Sequence, residues 1–159
     1  MIPTLCAIAQ GGPMPTVNDI LATKGSTVEQ IHESATVLEA TRLMNQERIG
    51  ALVVHAGDGS ISGIFTERDV LTRVVADQRD PQTTTVQQVM TAEVICCGLD
   101  TKLDDVRSIM KTRRIRHLPV VDGDGRIKGM VSMGDINAHL AREDAVAVHF
   151  LHEYIYGRA

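Results

Sequence analysis

Apolar and polar positions along the chain fall into two series with the same internal order. The first opens with a short extended run, Val28 to His32, followed by Val37, Ala40, Leu43 and Met44 on one face of a helix. Ala51-Leu52-Val53-Val54 is a continuous apolar run suited to a buried strand. Gly57-Asp58-Gly59 marks a hairpin turn through residues that tolerate positive φ, and Ile61 to Phe65 returns as a strand that leads straight into a second helix. The second series repeats this with Leu103, Val106, Ile109 and Met110, then Leu118-Pro119-Val120-Val121, Gly123-Asp124-Gly125 and Arg126 to Val131. Asp69 and Asp135 stand 66 residues apart, and Met44/Met110, Arg48/Arg114, Leu52/Leu118 and Gly63/Gly129 keep that offset without a gap. The chain is an internal duplication, each copy reading as strand, helix, strand, turn, strand, helix.

Past Asp135 the pattern is helical almost to the end, with Ile136, Leu140, Val146, Leu151 and Ile155 at near-helical intervals. Three of the four aromatics, Phe150, Tyr154 and Tyr156, lie here, so this helix needs either its own core or a second subunit to cover it. A polar stretch from Asp77 to Thr85, with Pro81 and three consecutive threonines, reads as the linker between copies. A half of about 60 residues buries too little surface to be stable alone. The copies are therefore expected to pack face to face about a pseudo-dyad, with a cleft between them that occurs twice. The expected divisions are a flexible tail at 1–16, copies at 17–78 and 79–140, and a helical extension at 141–159. Met14 offers an alternative start within the Gly- and Pro-rich leading segment.

Composition narrows the function classes. A net charge of −4 argues against non-specific nucleic-acid binding, and 3% aromatics leaves no stacking platform for single strands. No apolar run approaches the roughly 18 residues of a membrane span, and Leu5 to Ala9 lacks the basic lead of a signal peptide. Cys6, Cys96 and Cys97 have no metal-site spacing and read as small hydrophobes in a reducing cytoplasm. The histidines show no ligand set, and no serine or cysteine is placed with a recognisable base, so no catalytic constellation and no metal are expected.

Thr66-x-x-Asp69 and Ser132-x-x-Asp135 carry the candidate chemistry, and they admit two readings. One is a capping box at a helix start, worth about 1 kcal/mol through the N-cap. The other is a ligand grip: helix N-terminal N–H groups suit a phosphate, and a carboxylate accepts from two ribose hydroxyls. Gly63 and Gly129 would let the backbone approach such a ligand closely. Lys111, Arg113, Arg114, Arg116 and His117 add a basic cluster to the second copy, where the first has Asn45, Glu47, Arg48, Gly50 and Ala51. The first three suit a helix C-terminus, whereas Arg116 and His117 fall in the strand expected to line the cleft.

These residues resemble the CBS domain, a repeat that occurs in tandem as a Bateman module. The resemblance rests on Gly63-Ile-Phe-Thr-Glu-Arg-Asp69, Gly129-Met-Val-Ser-Met-Gly-Asp135, Arg114-Ile-Arg-His-Leu-Pro-Val-Val-Asp122 and the two Gly-Asp-Gly turns. Val89-Met90-Thr91 is similar to the usual lead-in to a second copy. It implies a mixed α/β (α+β) fold of two β-α-β-β-α repeats and a flat homodimer. It also implies a non-enzymatic regulatory module that binds AMP, ADP, ATP, NAD or S-adenosylmethionine, needs no cofactor and acts on a separate protein target. Asp69 and Asp135 would hold ribose hydroxyls, Thr66 and Ser132 ribose or phosphate, Arg116 and His117 phosphate, while Gln30 and Cys96 flank the base. Arg68 and Pro119, inside the matching motifs, complete the set. The departure at Gly50, Ala51 and Val53 makes the second copy the better expected site. The competing expectation is a ligand-free interaction module.

Overall fold

The computed structural model describes residues 14–156, and the expectations for residues 1–13 lie outside them. The first copy contains β1 (Gln30–His32), α2 (Val37–Glu47), β2 (Ala51–His55), β3 (Ile61–Thr66) and α3 (Glu67–Asp69), which continues as a π-helix over Val70–Val75. β1 lies parallel to β2 and β3 antiparallel to it. The second copy has α5 (Leu103–Arg113), β4 (His117–Val121), β5 (Ile127–Ser132) and α6 (Met133–Tyr156). Its counterpart of β1 shrinks to a single bridge, Cys97 with Val120, held by Cys97 N–H to the Pro119 carbonyl and Val121 N–H to the Cys97 carbonyl. The strand-like run at Val94 to Cys97 stops there because Thr101 Oγ1 draws the Gly98 N–H into a turn.

Two short helices precede the copies, α1 (Val17–Lys24) and α4 (Val86–Val89). Each is built by a capping box, Thr16 with Asp19 and Thr85 with Gln88. The helices are exchanged. Val17, Ile20 and Leu21 of α1 are buried with Leu103, Val106, Met110, Leu118 and Ile136 of the second copy. Val86 and Val89 of α4 are buried with Val37, Met44, Leu52 and Phe65 of the first. Each such side chain contributes about 1.5–3 kcal/mol when fully buried, so each copy's core is incomplete without a helix supplied from the other's approach. Pro15 and Thr16, placed in the tail by the sequence, are docked: Leu103 N–H donates to the Pro15 carbonyl and Thr16 bridges Lys102.

The exchange explains the two repeated glycines, and it corrects the expectation that they serve a ligand. A Cβ on Gly129 would stand 2.7 Å from Leu21 Cδ1, and one on Gly63 would stand 2.5 Å from Met90 Sδ. Both glycines make room for the incoming element. The linker is also ordered by use, since carbonyls of Pro81 and Thr84 accept from the first-turn N–H groups of Leu38 and Val37.

Candidate functional site

Strand register puts the chemistry together. In the second copy His117 lies opposite Ser132, and in the first Ala51 lies opposite Thr66. Each hydroxyl caps the helix that follows. Thr66 donates N–H and Oγ1–H to Asp69 Oδ2, both at 2.9 Å, and Ser132 N–H donates to Asp135 Oδ2 at 2.8 Å. The return bonds run from Asp69 N–H to Thr66 Oγ1 and from Asp135 N–H to Ser132 Oγ. The capping boxes are therefore real, and any ligand shares its carboxylate with the helix start.

A cavity of about 730 Å³ opens between the copies, within the size range of small-molecule sites. Its first-copy wall carries Thr66, Glu67, Arg68, Asp69 and Arg73, its second-copy wall carries Arg114, Arg116, His117 and Ser132, and Thr91 to Ile95 close one side. Of the residues expected from the sequence, it thus gathers Thr66, Arg68, Asp69, Arg116, His117 and Ser132. Gln30, Cys96, Pro119 and Asp135 do not line it. Gln30 is exposed on β1 beside Val53, Cys96 lies just past the last lining residue of its segment, and Pro119 is buried in β4. Asp135 turns to α1 and meets Lys24 Nζ at 2.5 Å.

Four guanidinium groups face three carboxylates, Glu67, Asp69 and Glu93, around the cavity. Arg73 is committed structurally: its Nη1 donates to the carbonyls of Met90 at 2.7 Å and Val89 at 3.0 Å and lies 3.6 Å from Asp69 Oδ1. Arg68 ties the copies together through the Arg114 carbonyl at 3.0 Å. Among the described residues the Arg116 side chain makes no tie of that kind; it is exposed at the cavity wall and available to an anion. Burial, then Arg116 and Lys24, push the His117 imidazole below its ordinary range against the pull of Asp135 and Glu67, so it is neutral at pH 7. Burial opposes ionisation of Asp135, but the Lys24 ammonium and the Ser132 N–H outweigh it and hold the carboxyl below its usual range.

Sequence reasoning missed Arg73, Glu93 and Lys24. Arg73 had a signal, the i,i+4 spacing from Asp69. The other two had none until α1 and α4 were placed. Of the described residues, neither Cys96 nor Cys97 carries a reactive thiolate: burial raises Cys96, and burial with its neighbour pushes Cys97 up to about 11. Among the described residues no group of three metal-ligating side chains occurs, and no helix is long and apolar enough to cross a membrane.

Comparison with known proteins gives one answer. The family model for the CBS domain matches residues 17–76 and again 86–142. The CBS domain-containing protein YhcV of Bacillus subtilis (strain 168) is 35% identical over 123 residues, spanning 77% of this chain and 84% of that protein. The crystal structure of the CBS-domain containing protein ATU1752 from Agrobacterium tumefaciens superimposes with a TM-score of 0.73 at 34% identity, covering 78% of this chain and 97% of that one. The CBS domain pair of protein MJ0100, solved in complex with 5′-methylthioadenosine and S-adenosyl-L-methionine, matches with a TM-score of 0.73 at 26% identity, covering 82% of this chain and 99% of that one.

Proposed function

Because the chain belongs to the CBS-domain family and carries the domain twice, we propose that it is a sensor whose inter-copy cleft binds an adenosine-containing ligand and so regulates a separate protein. The observation that carries this reading is the cavity itself, where a capped carboxylate, Asp69, faces the second copy's Arg114, Arg116 and His117 across a space of nucleotide size. Asp69 and Thr66 would meet the ribose, and Arg116 and neutral His117 the phosphate. Thr91 to Ile95 would flank the base. The adenosyl ligands of the MJ0100 pair support the choice of ligand class. The role needs no bond-breaking step and no cofactor, and it suits a cytoplasmic homodimer.

Thermal shift and isothermal titration against AMP, ADP, ATP, NAD and S-adenosylmethionine test the proposal. Arg116→Ala should weaken AMP by about 1.5–3 kcal/mol, the scale of a charge-assisted hydrogen bond, and leave adenosine nearly unchanged. Equal losses for both ligands would remove Arg116 from the phosphate. Silence across the whole panel would favour the second reading, a ligand-free interaction module, for which the exposed Phe150, Leu151, Tyr154 and Ile155 of α6 are the specific observation.

A further inference from the structure

The two capped carboxylates are not held alike. Asp69 is 8% exposed at its side chain, and its second oxygen faces Arg73 of its own helix. Asp135 is 24% exposed, and its Oδ2 is shared between Ser132 N–H and Lys24 Nζ. Lys24 comes from outside the second copy. It is the last residue of α1, whose Val17, Ile20 and Leu21 are buried in the second core and whose Leu21 sits against Gly129 on β5.

The exchanged helices give Lys24 a counterpart. Thr16, Val17 and Leu21 correspond to Thr85, Val86 and Met90, since Leu21 meets Gly129 as Met90 meets Gly63. The same register aligns Lys24 with Glu93, which lines the open cavity at the first copy's end. The lead-in segments thus deliver a cation to Asp135 and an anion, unable to pair with Asp69, to the first copy's end, where Asp69 has instead Arg73 of its own helix at 3.6 Å.

We propose that Lys24 is an internal occupant of the second copy's capped carboxylate: its ammonium takes Asp135 where a ribose would meet it and leaves one nucleotide site per chain, at the Asp69 end. This rests on the nucleotide reading above. A ribose diol reaching Asp135 would exchange its neutral hydroxyls for an ammonium already in a charge-assisted bond, and the ammonium is the stronger partner. Lys24 is 35% exposed on a long flexible stem, so it can leave for solvent without moving the buried face of α1. His117, opposite Ser132 and on the cavity wall, feels the charges of Lys24, Asp135 and Glu67 together.

The test is isothermal titration of the full chain with AMP, ADP, ATP and S-adenosylmethionine in turn, comparing wild type, Lys24→Met and Lys24→Arg. One equivalent per chain is expected for wild type and Lys24→Arg, and two for Lys24→Met. Two equivalents in wild type, or one in Lys24→Met, overturns the latch and leaves the nucleotide reading intact. Weaker binding by Lys24→Met also overturns it, because Lys24 would then be a ligand contact. No binding by any protein to any of the four removes the nucleotide reading and this inference with it.

Discussion

His117 is the residue at which the two copies' electrostatics meet. It lies opposite the Ser132 cap, beside Arg116, within the fields of Lys24, Asp135 and Glu67. Its depressed ionisation gives a signed prediction. Above the ordinary value of 6.5 both folded and unfolded chains keep it neutral, and it adds nothing to the pH dependence. As pH falls below 6.5 the unfolded chain takes the proton first, so the native state loses stability until its own lower value is passed. The urea midpoint should therefore drop further between pH 7 and about 5 in the wild type than in His117→Asn. Parallel declines would show that the imidazole ionises in the native state as it does in the unfolded one. A bound phosphate should act in the opposite sense, drawing the His117 pKa upward, so nucleotide binding near pH 6.5 should take up protons.

At the scale of elements, the exchanged lead-in helices hold the two copies together, and the paired glycines measure how tightly. At Gly129 the three atoms nearest an added methyl all belong to the Leu21 side chain, with Cδ1 and Cδ2 at 2.7 and 2.8 Å. At Gly63 it meets Met90 Sδ and also the Thr91 carbonyl oxygen at 2.9 Å. That backbone is pinned, because Ile64 and Thr91 exchange both N–H to carbonyl bonds at 2.9 Å. Overpacking of this kind costs about 1–3 kcal/mol. Gly129→Ala should fall near the lower end of that range and Gly63→Ala near the upper in denaturant unfolding. The reverse order would mean that Leu21 is less free to turn than the Thr91 backbone is to shift. The exchange also implies one cooperative transition for the chain, since neither core is complete by itself.

For the whole molecule, α6 poses the open packing question. Its first turns cover the second core through Ile136 and Leu140, but residues 141–155 are exposed, with Tyr154 at 88%. A helical segment of that length that stays this exposed is marginal in water. The homodimer expected from its apolar pattern would cover this face. Light scattering should give a particle of twice the 17.3 kDa chain, and Phe150→Glu with Leu151→Glu should shift it toward the monomer. A dimer unchanged by that pair would place the contact elsewhere on the molecule.

Period and offset in the sequence determined the two copies, their hairpins, the caps at Thr66 and Ser132 and the long final helix, because these depend on neighbours a few residues apart. Even α1 was legible in principle, from Thr16-x-x-Asp19 ahead of Ile20 and Leu21. Only the tertiary structure decided that each lead-in helix crosses to the other copy. That crossing carries Lys24 across 111 residues of chain to Asp135, sets Glu93 in the cavity between the copies and gives Gly63 and Gly129 to packing. The caps look equivalent in sequence because a local motif cannot encode what approaches it from elsewhere. The two ends differ through the charge that a distant helix delivers to each.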